Sequence, residues 1–398
     1  MTSVVVDAPD LLDPAFYADV DGMHEQLRVL RAQGQVWRDE RNGLWAVLGH
    51  DELIEVELQD DLFCSSLGYR SLPAEDAREQ DMIALDDPQH AAQRKLVSRR
   101  FTPRAVQRLA PYLTAVIDEL IEGFIGGGEL EVVDQLAAPL PARLTAHLIG
   151  FADSDAPALR TWSERLMRID RTMREPLVGA EFMSAILEFA QVLAPRLEER
   201  RAAPADDLLS VWGSAQLGGC PMAQEVIVQE TGLFISGGSE TSRTVIVRGL
   251  VELARHPDDW EAMAADPTLV PAAVEELIRW VTPLNNFFRT ATRDGSIGKV
   301  EVAKGDRVVL LYPSANRDER TFVDPYRFDI RRHPNPHVAF GLGTHFCLGS
   351  SLARLELRLL LTALTQRITA LEVLEAPDIE PNIFASAVRS CRMAFQAR

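Results

Sequence analysis

A glycine-rich loop with a single cysteine, near the C-terminus, constrains this 398-residue chain more than any other feature. It reads Phe340-Gly-Leu-Gly-Thr-His-Phe-Cys-Leu-Gly349 and leads directly into a helical pattern at 350–361. Gly341 and Gly343 allow positive φ angles, which let the backbone approach a flat partner closely. The start of the helix directs free N–H groups at Cys347, which lowers a thiol's pKa and favours the thiolate that binds metal.

Two other readings of this cysteine compete with metal binding by one thiolate. Cys347 could be a small buried core residue, or it could share a zinc site with His345. The other cysteines, Cys64, Cys220 and Cys391, are scattered and form no C-x-x-C pair, so a closed tetrahedral zinc site lacks ligands. Neither alternative accounts for the spacing of the phenylalanine, glycines, histidine and cysteine as a whole.

The loop resembles the haem-binding signature of the cytochrome P450 family. The resemblance implies a haem b whose iron is ligated by the Cys347 thiolate, with Phe340, Gly341 and Gly349 around the cofactor. It also implies hydrogen bonds to the sulfur from the backbone N–H groups of Leu348 and Gly349. The implied fold is mainly α with small β-sheets, and the haem lies between a long distal helix and the helix that follows the cysteine.

Composition indicates a soluble enzyme. The chain is 46% hydrophobic and 25% charged, and no linker or repeat divides it, so we expect one domain over residues 1–398 with a short flexible N-terminus at about 1–12. Four widely spaced cysteines favour a reducing compartment. We see neither a signal-peptide pattern nor an apolar run near the ~18 residues of a membrane span, which predicts a cytoplasmic protein without a membrane anchor. The net charge of −18 argues against a nucleic-acid partner.

Hydrophobic periodicity predicts a mostly helical chain. Val36–Arg38 and Leu44–Val47, joined across Asn42-Gly43, form the clearest strand pair, and Arg307–Leu311 is a further strand. The helical patterns cover roughly 106–126, 140–150, 157–170, 176–201, 222–255, 267–280 and 350–366.

The longest of these patterns, 222–255, is interrupted by Ser-Gly-Gly-Ser-Glu-Thr-Ser at 236–242. A helix of this length spans about 50 Å, and each glycine within it costs about 1 kcal/mol relative to alanine. The glycine pair could permit a close helix crossing, with Glu240 facing solvent. The combination instead favours a functional site, in which the helix widens locally and admits O₂ and a water.

This segment resembles the distal-helix motif of the same family. On that resemblance, Glu240 and Thr241 are the catalytic acid–alcohol pair that delivers protons during O₂ activation, because a hydroxyl group backed by a carboxylate can relay a proton from solvent. The chain has Glu240 where Asp is more frequent and Ser242 where Thr is common, and both substitutions keep the chemistry. Retention of the pair argues against the branch of the family that uses peroxide.

Glu276 and Arg279 lie three residues apart, on one helix face. The pair could be an ordinary surface ion pair, but its order and distance from Cys347 resemble the family's Glu-x-x-Arg motif. The resemblance implies that Arg327 completes a structural triad that braces the cysteine loop.

Haem carries two propionates, which need cations or hydrogen-bond donors. His90 and Arg94 are spaced i,i+4 and would present one face to a carboxylate. The resemblance places further propionate partners at Arg289 and His345. Surface Arg and His are common, so each of these residues alone is weak evidence.

The resemblance covers about residue 60 to the end and implies a haem-thiolate monooxygenase that hydroxylates a hydrophobic small molecule with O₂. The chain contains no flavin or iron–sulfur module, so the implied electron donors are a ferredoxin and its reductase. Basic residues near the haem elements could form a docking patch for an acidic carrier, although a solvated helix face is the ordinary reading. These residues are Arg94, Lys95, Arg99, Arg100, Arg104, Arg354 and Arg358.

The substrate pocket is expected to be mainly apolar, with Asn285 and Asn286 as orienting donors. The chain looks most like members that oxidise sterols, steroids and branched lipids. A terpenoid- or polyketide-tailoring hydroxylase is an alternative, as are a haem-thiolate isomerase or dehydratase and a haem sensor. By family placement the pocket draws on 67–83 and 284–288, and the individual residues predicted are Met82, Ile83, Leu233, Ser236, Gly237, Leu284, Asn285, Ile383 and Phe384.

Overall fold

The computed structural model describes residues 9–72, 80–172 and 175–398. The first eight residues of the predicted flexible N-terminus lie outside these ranges. The described residues form fifteen α-helices: α1 (Pro14–Ala18), α2 (Val20–Gln33), α3 (His50–Leu58), α4 (Gln89–Val97), α5 (Pro103–Val106), α6 (Ala110–Phe124), α7 (Pro139–Ile149), α8 (Ala156–Leu166), α9 (Pro176–Ala202), α10 (Leu208–Ser214), α11 (Gln224–Ala254), α12 (Pro257–Ala265), α13 (Val270–Val281), α14 (Tyr312–Ala315) and α15 (Ser350–Arg367).

The strands form small sheets, as predicted, and most of them are short. In the described ranges they are β1 (Val36–Asp39), β2 (Leu44–Val47), β3 (Phe63–Cys64), β4 (Glu129–Glu131), β5 (Gln216–Leu217), β6 (Cys220–Pro221), β7 (Asn286–Ala291), β8 (Gly295–Ile297), β9 (Val300–Val302), β10 (Arg307–Leu311), β11 (Ile368–Ile379) and β12 (Val388–Ala397).

The largest sheet has the strand order β1-β2-β10-β7-β3. β1 and β2 form the predicted hairpin, with Val36 opposite Val47 and Asp39 opposite Leu44. β10 pairs parallel to β2 and antiparallel to β7. This pairing makes β7, which carries Arg289, an interior strand between β10 and β3.

Helix α11 passes through both large hydrophobic cores. Near its N-terminal end Val226, Ile227 and Ile235 pack into one core, with α8, α9 and α10. Toward its C-terminal end residues from Val245 onward pack into the other core, with α6, α13 and α15. The stretch between these two apolar faces is where the helix meets a cavity.

The glycine pair in α11 does not widen the helix, which corrects the sequence expectation. The α-helix runs unbroken through residues 236–242. A Cβ on Gly238 would lie 2.8 Å from Oγ1 of Thr145 on α7, whereas one on Gly237 would meet nothing within 4 Å. Gly238 therefore permits a close crossing of two helices, and Gly237 leaves space open.

Helix α9 is apolar enough, by length and composition alone, to cross a membrane: an 18-residue window has a mean hydropathy of 1.5. The sequence expectation that no segment approaches a span is wrong for this helix. In the fold α9 lies against α8 and α10, and Ala185, Phe189, Leu193 and Leu197 are its buried face.

Candidate active site

A large cavity lies between the middle of α11 and the cysteine loop. Its lining comes from α4, α7, α11, α15, β7 and the loop before α15. The lining includes Phe340, Gly341, Cys347 and Gly349, as the resemblance implied. The structure therefore brings the cysteine loop and the distal helix to opposite sides of one cavity.

The two glycines of the loop make room for a neighbouring helix. Gly341 and Gly343 have φ angles of 65° and 63°, which favour glycine. A Cβ on Gly343 would lie 2.5 Å from the backbone oxygen of Glu57, at the end of α3, and one on Gly341 would lie 3.1 Å from its carboxylate. The expected positive φ angles are present, and among the described residues the contact that requires a bare backbone at both positions is with α3.

The cysteine sulfur is held by backbone donors from the start of α15. The N–H groups of Gly349 and Ser350 hydrogen-bond the Cys347 sulfur and lower the pKa of its thiol, as do the charges of Arg94 and Arg354. Burial raises that pKa by more than these contacts lower it. Gly349 is thus the predicted donor to the sulfur, Ser350 is a second donor that the sequence analysis did not name, and the net effect of the protein surroundings favours the neutral thiol. Coordination to a metal ion would supply the missing stabilisation, since a coordinating thiol is deprotonated.

The zinc alternative finds no support in the described part of the chain, which contains no group of three or more His, Cys, Asp or Glu side chains able to hold a metal ion. Cys64 and Cys391 are buried, Cys220 is exposed, and all are free.

Four cationic or histidine side chains converge on the cavity: His90, Arg94, Arg289 and His345. The two imidazole rings lie 4.2 Å apart between centroids. Burial and the charges of Arg289, His90 and Arg94 lower the pKa of His345 to about 2. The positive charge on this side of the cavity therefore comes from Arg94 and Arg289.

Their hydrogen bonds leave capacity for a ligand. Arg94 donates to the Phe346 carbonyl at 2.5 Å, and Arg289 donates to the Phe288 carbonyl at 2.9 Å. Nδ1 of His90 bonds the Met82 carbonyl at 2.8 Å. Its Nε2 is buried and has no partner among the described residues. One cysteine sulfur, two arginines and a buried ring nitrogen without a partner among the described residues fit an iron porphyrin with two carboxylates.

Two side chains of this region were not found from the sequence. Glu57 lies in the cavity wall and accepts a hydrogen bond of 2.5 Å from Tyr312 and one of 2.8 Å from the backbone of Leu342. Its carboxylate lies 3.5 Å from Arg289. Only the tertiary packing of α3 and α14 against the cysteine loop brings Glu57 and Tyr312 to this side of the cavity, so no local motif in the sequence reveals them.

On the distal side, Thr241 lines the cavity and its hydroxyl donates to the Gly237 carbonyl at 3.0 Å. Glu240 is 2% exposed and does not belong to the lining. Its carboxylate lies 2.5 Å from Arg243, which also bonds the partly exposed Glu164 at 2.6 Å. Burial raises the pKa of Glu240, although Arg243 opposes the shift. The ion-paired chain leads from Glu240 toward the surface, and the reading with Glu240 facing solvent is wrong.

Another acid, unlike Glu240, does line the cavity. Glu356 on α15 accepts a hydrogen bond of 2.7 Å from Ser242, and burial raises its pKa to about 7. The sequence indicated only that Ser242 replaces a common Thr, and its partner is a hundred residues away in the chain.

The Glu-x-x-Arg motif forms a fully buried ion pair, with Nε of Arg279 2.7 Å from Glu276. The third member is Arg332, whose Nε lies 3.1 Å from the Glu276 carboxylate. Arg327 is wrong as that member: its side chain is exposed, and only its backbone carbonyl accepts from Arg279 and Arg332. The turn at 324–327 leaves the Arg327 side chain exposed, and Glu276 is contacted instead by the backbone N–H of Asp329 and the side chain of Arg332.

Five of the predicted pocket residues line the cavity and four do not. The lining residues are Met82, Ile83, Leu233, Gly237 and Leu284. Part of the predicted 67–83 stretch, residues 73–79, lies outside the described residues.

The other four pocket predictions are corrected because each side chain is occupied elsewhere. The Ser236 hydroxyl donates back to the Gly232 carbonyl at 2.9 Å. The Asn285 amide donates to backbone carbonyls of the C-terminal segment, including that of Ile383, and Asn286 bonds the same carbonyl at 2.8 Å. Ile383 packs in a separate core. Phe384 packs behind Leu284 and Phe287, with the Arg70 guanidinium 3.7 Å from its ring centroid.

The fold and the site together define a haem-thiolate enzyme. A family model for cytochrome P450 matches residues 259–386. The chain is 38% identical over 388 residues to a steroid C26-monooxygenase of Mycolicibacterium smegmatis, covering 97% of this chain and 96% of that protein. It is 36% identical over 400 residues to a steroid C26-monooxygenase of Mycobacterium tuberculosis, covering 98% of each.

A solved structure has the same architecture. Cytochrome P450 CYP268A2 of Mycobacterium marinum, in complex with pseudoionone, superposes with a TM-score of 0.90 at 32% identity, covering 98% of this chain and all of that one. The chain belongs to the cytochrome P450 family. It is a cytochrome P450 monooxygenase whose cofactor is a cysteine-ligated haem b, which confirms the predicted fold, enzyme class and cofactor. A haem sensor or an isomerase is not supported.

Proposed function

We propose that this enzyme hydroxylates a steroid, sterol or branched lipid, with O₂ as co-substrate. The observation that supports this most directly is the likeness, over nearly the whole chain, to monooxygenases named for steroids. The wall formed by Met82, Ile83, Leu233, Leu284 and Phe287 supports it as well, because apolar side chains favour a hydrophobic ligand.

The Cys347 thiolate would hold the haem iron, and His90, Arg94, Arg289 and His345 would hold its propionates. The bound haem supplies O₂ activation, with one oxygen atom entering a C–H bond and the other leaving as water. The Gly349 and Ser350 amides lower the electron density on the Cys347 sulfur, which tunes its donation to the metal.

The proton route that we propose uses Thr241 and Glu240. The Thr241 hydroxyl already faces the cavity and can pass on a proton when it rotates away from the Gly237 carbonyl. Glu240 would exchange protons with water on the side of the partly exposed Glu164, and the Arg243 guanidinium, which stays protonated, would hold the two acids in place. Ser242 and Glu356 supply a second hydroxyl–acid pair at the same wall.

We propose that electrons arrive from a ferredoxin and its reductase, on the face that carries the cysteine loop. Phe346 is 37% exposed there, and Lys95, Arg99 and Arg104 are exposed cations. Other members of the predicted basic patch are engaged, since Arg354 bonds Glu275 and Arg100 bonds Asp206. The docking patch is therefore smaller than the sequence suggested. We also propose that the protein acts in solution in the cytoplasm.

A second candidate substrate class is terpenoid, which the complex of the Mycobacterium marinum relative with pseudoionone supports. A binding screen separates the candidates. Steroids, fatty acids and terpenoids are titrated into the ferric holoenzyme, and the Soret shift reports displacement of water from iron. Hits are then incubated with NADPH and a surrogate ferredoxin system, and products are identified by mass spectrometry. Steroid binding with a product heavier by one oxygen atom supports the proposal. Shifts and products with terpenoids alone would overturn it.

A further inference from the structure

Helix α11 fastens the segment Gln80–Ala84, which is part of the cavity wall. Gln229 and Glu230 are neighbours on α11, and their side chains accept hydrogen bonds from the backbone N–H groups of Gln80 at 2.5 Å and Met82 at 2.8 Å. Within this segment Met82 and Ile83 line the cavity, and Met82–Ala84 forms a short 3₁₀ turn.

The other side of the segment is tied to α4. The Met82 carbonyl bonds His90, the histidine with an unpartnered ring nitrogen in the cavity, and the Gln80 carbonyl accepts from the Gln93 amide at 3.0 Å. Met82 thus connects Glu230 on the distal helix with a side chain of the cofactor side. A displacement of the segment would alter the apolar wall and the setting of His90 together.

A glutamate is an unusual residue at a buried position that anchors the segment Gln80–Ala84 to α11. Glu230 is fully buried, its second carboxylate oxygen has no partner among the described residues, and Asp81 lies close enough to act on it electrostatically. An ionised carboxylate in this position would be costly, since among the described residues it has one hydrogen bond, no paired cation and a neighbouring acid. A protonated carboxyl group keeps the bond from the Met82 N–H without that cost.

We propose that Glu230 is a positioning residue for the substrate, whose carboxyl group holds Gln80–Ala84 closed against α11 as a wall of the cavity. This inference rests on the proposed function at one point, namely that this wall contacts a hydrophobic substrate.

The anchor makes closure of the wall depend on pH. Burial first, and then the charge of Asp81, raise the pKa of Glu230 to about 8, and the Met82 N–H opposes this shift. His90 and Gln93 face the segment from α4, and Gln229 lies beside Glu230 on α11. When the segment opens, Glu230 meets water and its pKa returns toward 4.5. The closed form then binds more protons, so closure is fully favoured below about pH 4.5 and weakens as pH rises to about 8.

The size of the effect follows from the two pKa values. With 8 for the closed form and 4.5 for the open form, the closing equilibrium falls about 50-fold between pH 6 and pH 8. A purely structural contact without titration would be unaffected over this range.

Hydrogen exchange of the holoenzyme tests the inference without a substrate. Protection of the amides at 80–84, corrected for intrinsic exchange, should fall about 50-fold from pH 6 to pH 8. Glu230→Gln, which keeps an acceptor for the Met82 N–H, should make the protection independent of pH. Glu230→Ala should lose protection at both pH values. Gln229→Ala is the matched control, since it removes the adjacent bond and leaves the pH dependence in place.

Substrate binding gives a second readout, with testosterone as the steroid probe and the Soret shift as signal. The dissociation constant should rise with pH in the natural enzyme and stay constant in Glu230→Gln. If the pH dependence of protection is the same in Glu230→Gln as in the natural enzyme, the inference is wrong even when steroids bind. If protection behaves as expected but no steroid binds at any pH, the positioning role stands and the proposed substrate class fails.

Discussion

Replacing Arg332 with alanine tests which arginine braces the cysteine loop. Its guanidinium contacts the fully buried Glu276 and donates to the backbone carbonyls of Val323, Asp324 and Arg327, at distances between 2.7 and 3.2 Å. The Arg332 side chain is 9% exposed, whereas its three backbone partners lie at the surface, where water can replace part of this network when the side chain is removed.

The loss can be estimated from the contacts that survive. Breaking a buried ion pair by removing one partner costs about 3–5 kcal/mol. Glu276 keeps two bonds from Arg279, one from the Asn335 amide and one from the Asp329 N–H, so its charge is not left uncompensated. We therefore expect the lower end, about 3 kcal/mol, in the free energy of unfolding.

Arg327→Ala is the matched control, because that side chain is exposed and the network uses only its backbone oxygen. It should change the free energy of unfolding by less than about 0.5 kcal/mol. Arg332→Lys should fall between the two alanine variants, since an ammonium group cannot reproduce the planar fork.

Urea unfolding of the ferric holoenzymes, followed by far-ultraviolet circular dichroism, measures these differences from the midpoints and slopes. Equal losses for Arg327→Ala and Arg332→Ala would refute the assignment, as would a loss below about 1 kcal/mol for Arg332→Ala.

Three further perturbations probe the cavity. Gly343→Ala should destabilise the loop and speed haem loss, since its Cβ would lie 2.5 Å from the Glu57 backbone oxygen. Gly43→Ala is the control, because Gly43 has nearly the same φ and nothing within 4 Å of an added Cβ, so this variant should show only the backbone strain. Equal effects in the two variants would contradict a steric role for Glu57. Thr241→Ala should keep the haem and divert electrons to peroxide and water, so that more NADPH is consumed per product formed. An unchanged ratio of NADPH to product would count against Thr241 as a proton relay. Arg94→Gln should speed haem transfer to apomyoglobin by about tenfold, because a hydrogen bond to a charged group, of about 1.5 kcal/mol or more, is lost. An unaltered transfer rate would exclude a contact between Arg94 and a propionate.

The sequence was informative where chemistry imposes a local pattern. The cysteine loop, the glutamate–threonine pair of α11 and the Glu276–Arg279 pair each lie within a short stretch whose residue types are difficult to explain by packing alone. The hairpin and the long helices followed from turn chemistry and periodicity. Those predictions needed no knowledge of which elements meet.

Predictions failed where the answer depends on a contact between distant segments. Glu57 and Glu356 reach the cavity only because α3 and α15 pack against it. Asn285 looked like an orienting donor, but the carbonyls of the C-terminal segment take its amide. Arg327 and Arg332 are equivalent by composition, and only the turn between them decides which one faces Glu276.

Strands β11 and β12 were missed for a related reason. They form a long antiparallel pair, but several register shifts break the alternation of side chains along β11. Its mostly exposed residues include Glu and Asp, which are rare in strands. β11 pairs with β12, which in turn pairs with the distant β4, and this tertiary pairing determines the structure.

The ligation of iron by Cys347 is tested most directly by the absorption spectrum of the reduced carbon-monoxide complex. The natural enzyme should show the red-shifted Soret band of thiolate-ligated haem, and so should Cys220→Ala, whose cysteine is exposed and far from the loop in sequence. Cys347→Ala, reconstituted with haem, should lose that band. Retention of the red-shifted band in Cys347→Ala would contradict the account, because another sulfur would then be the ligand.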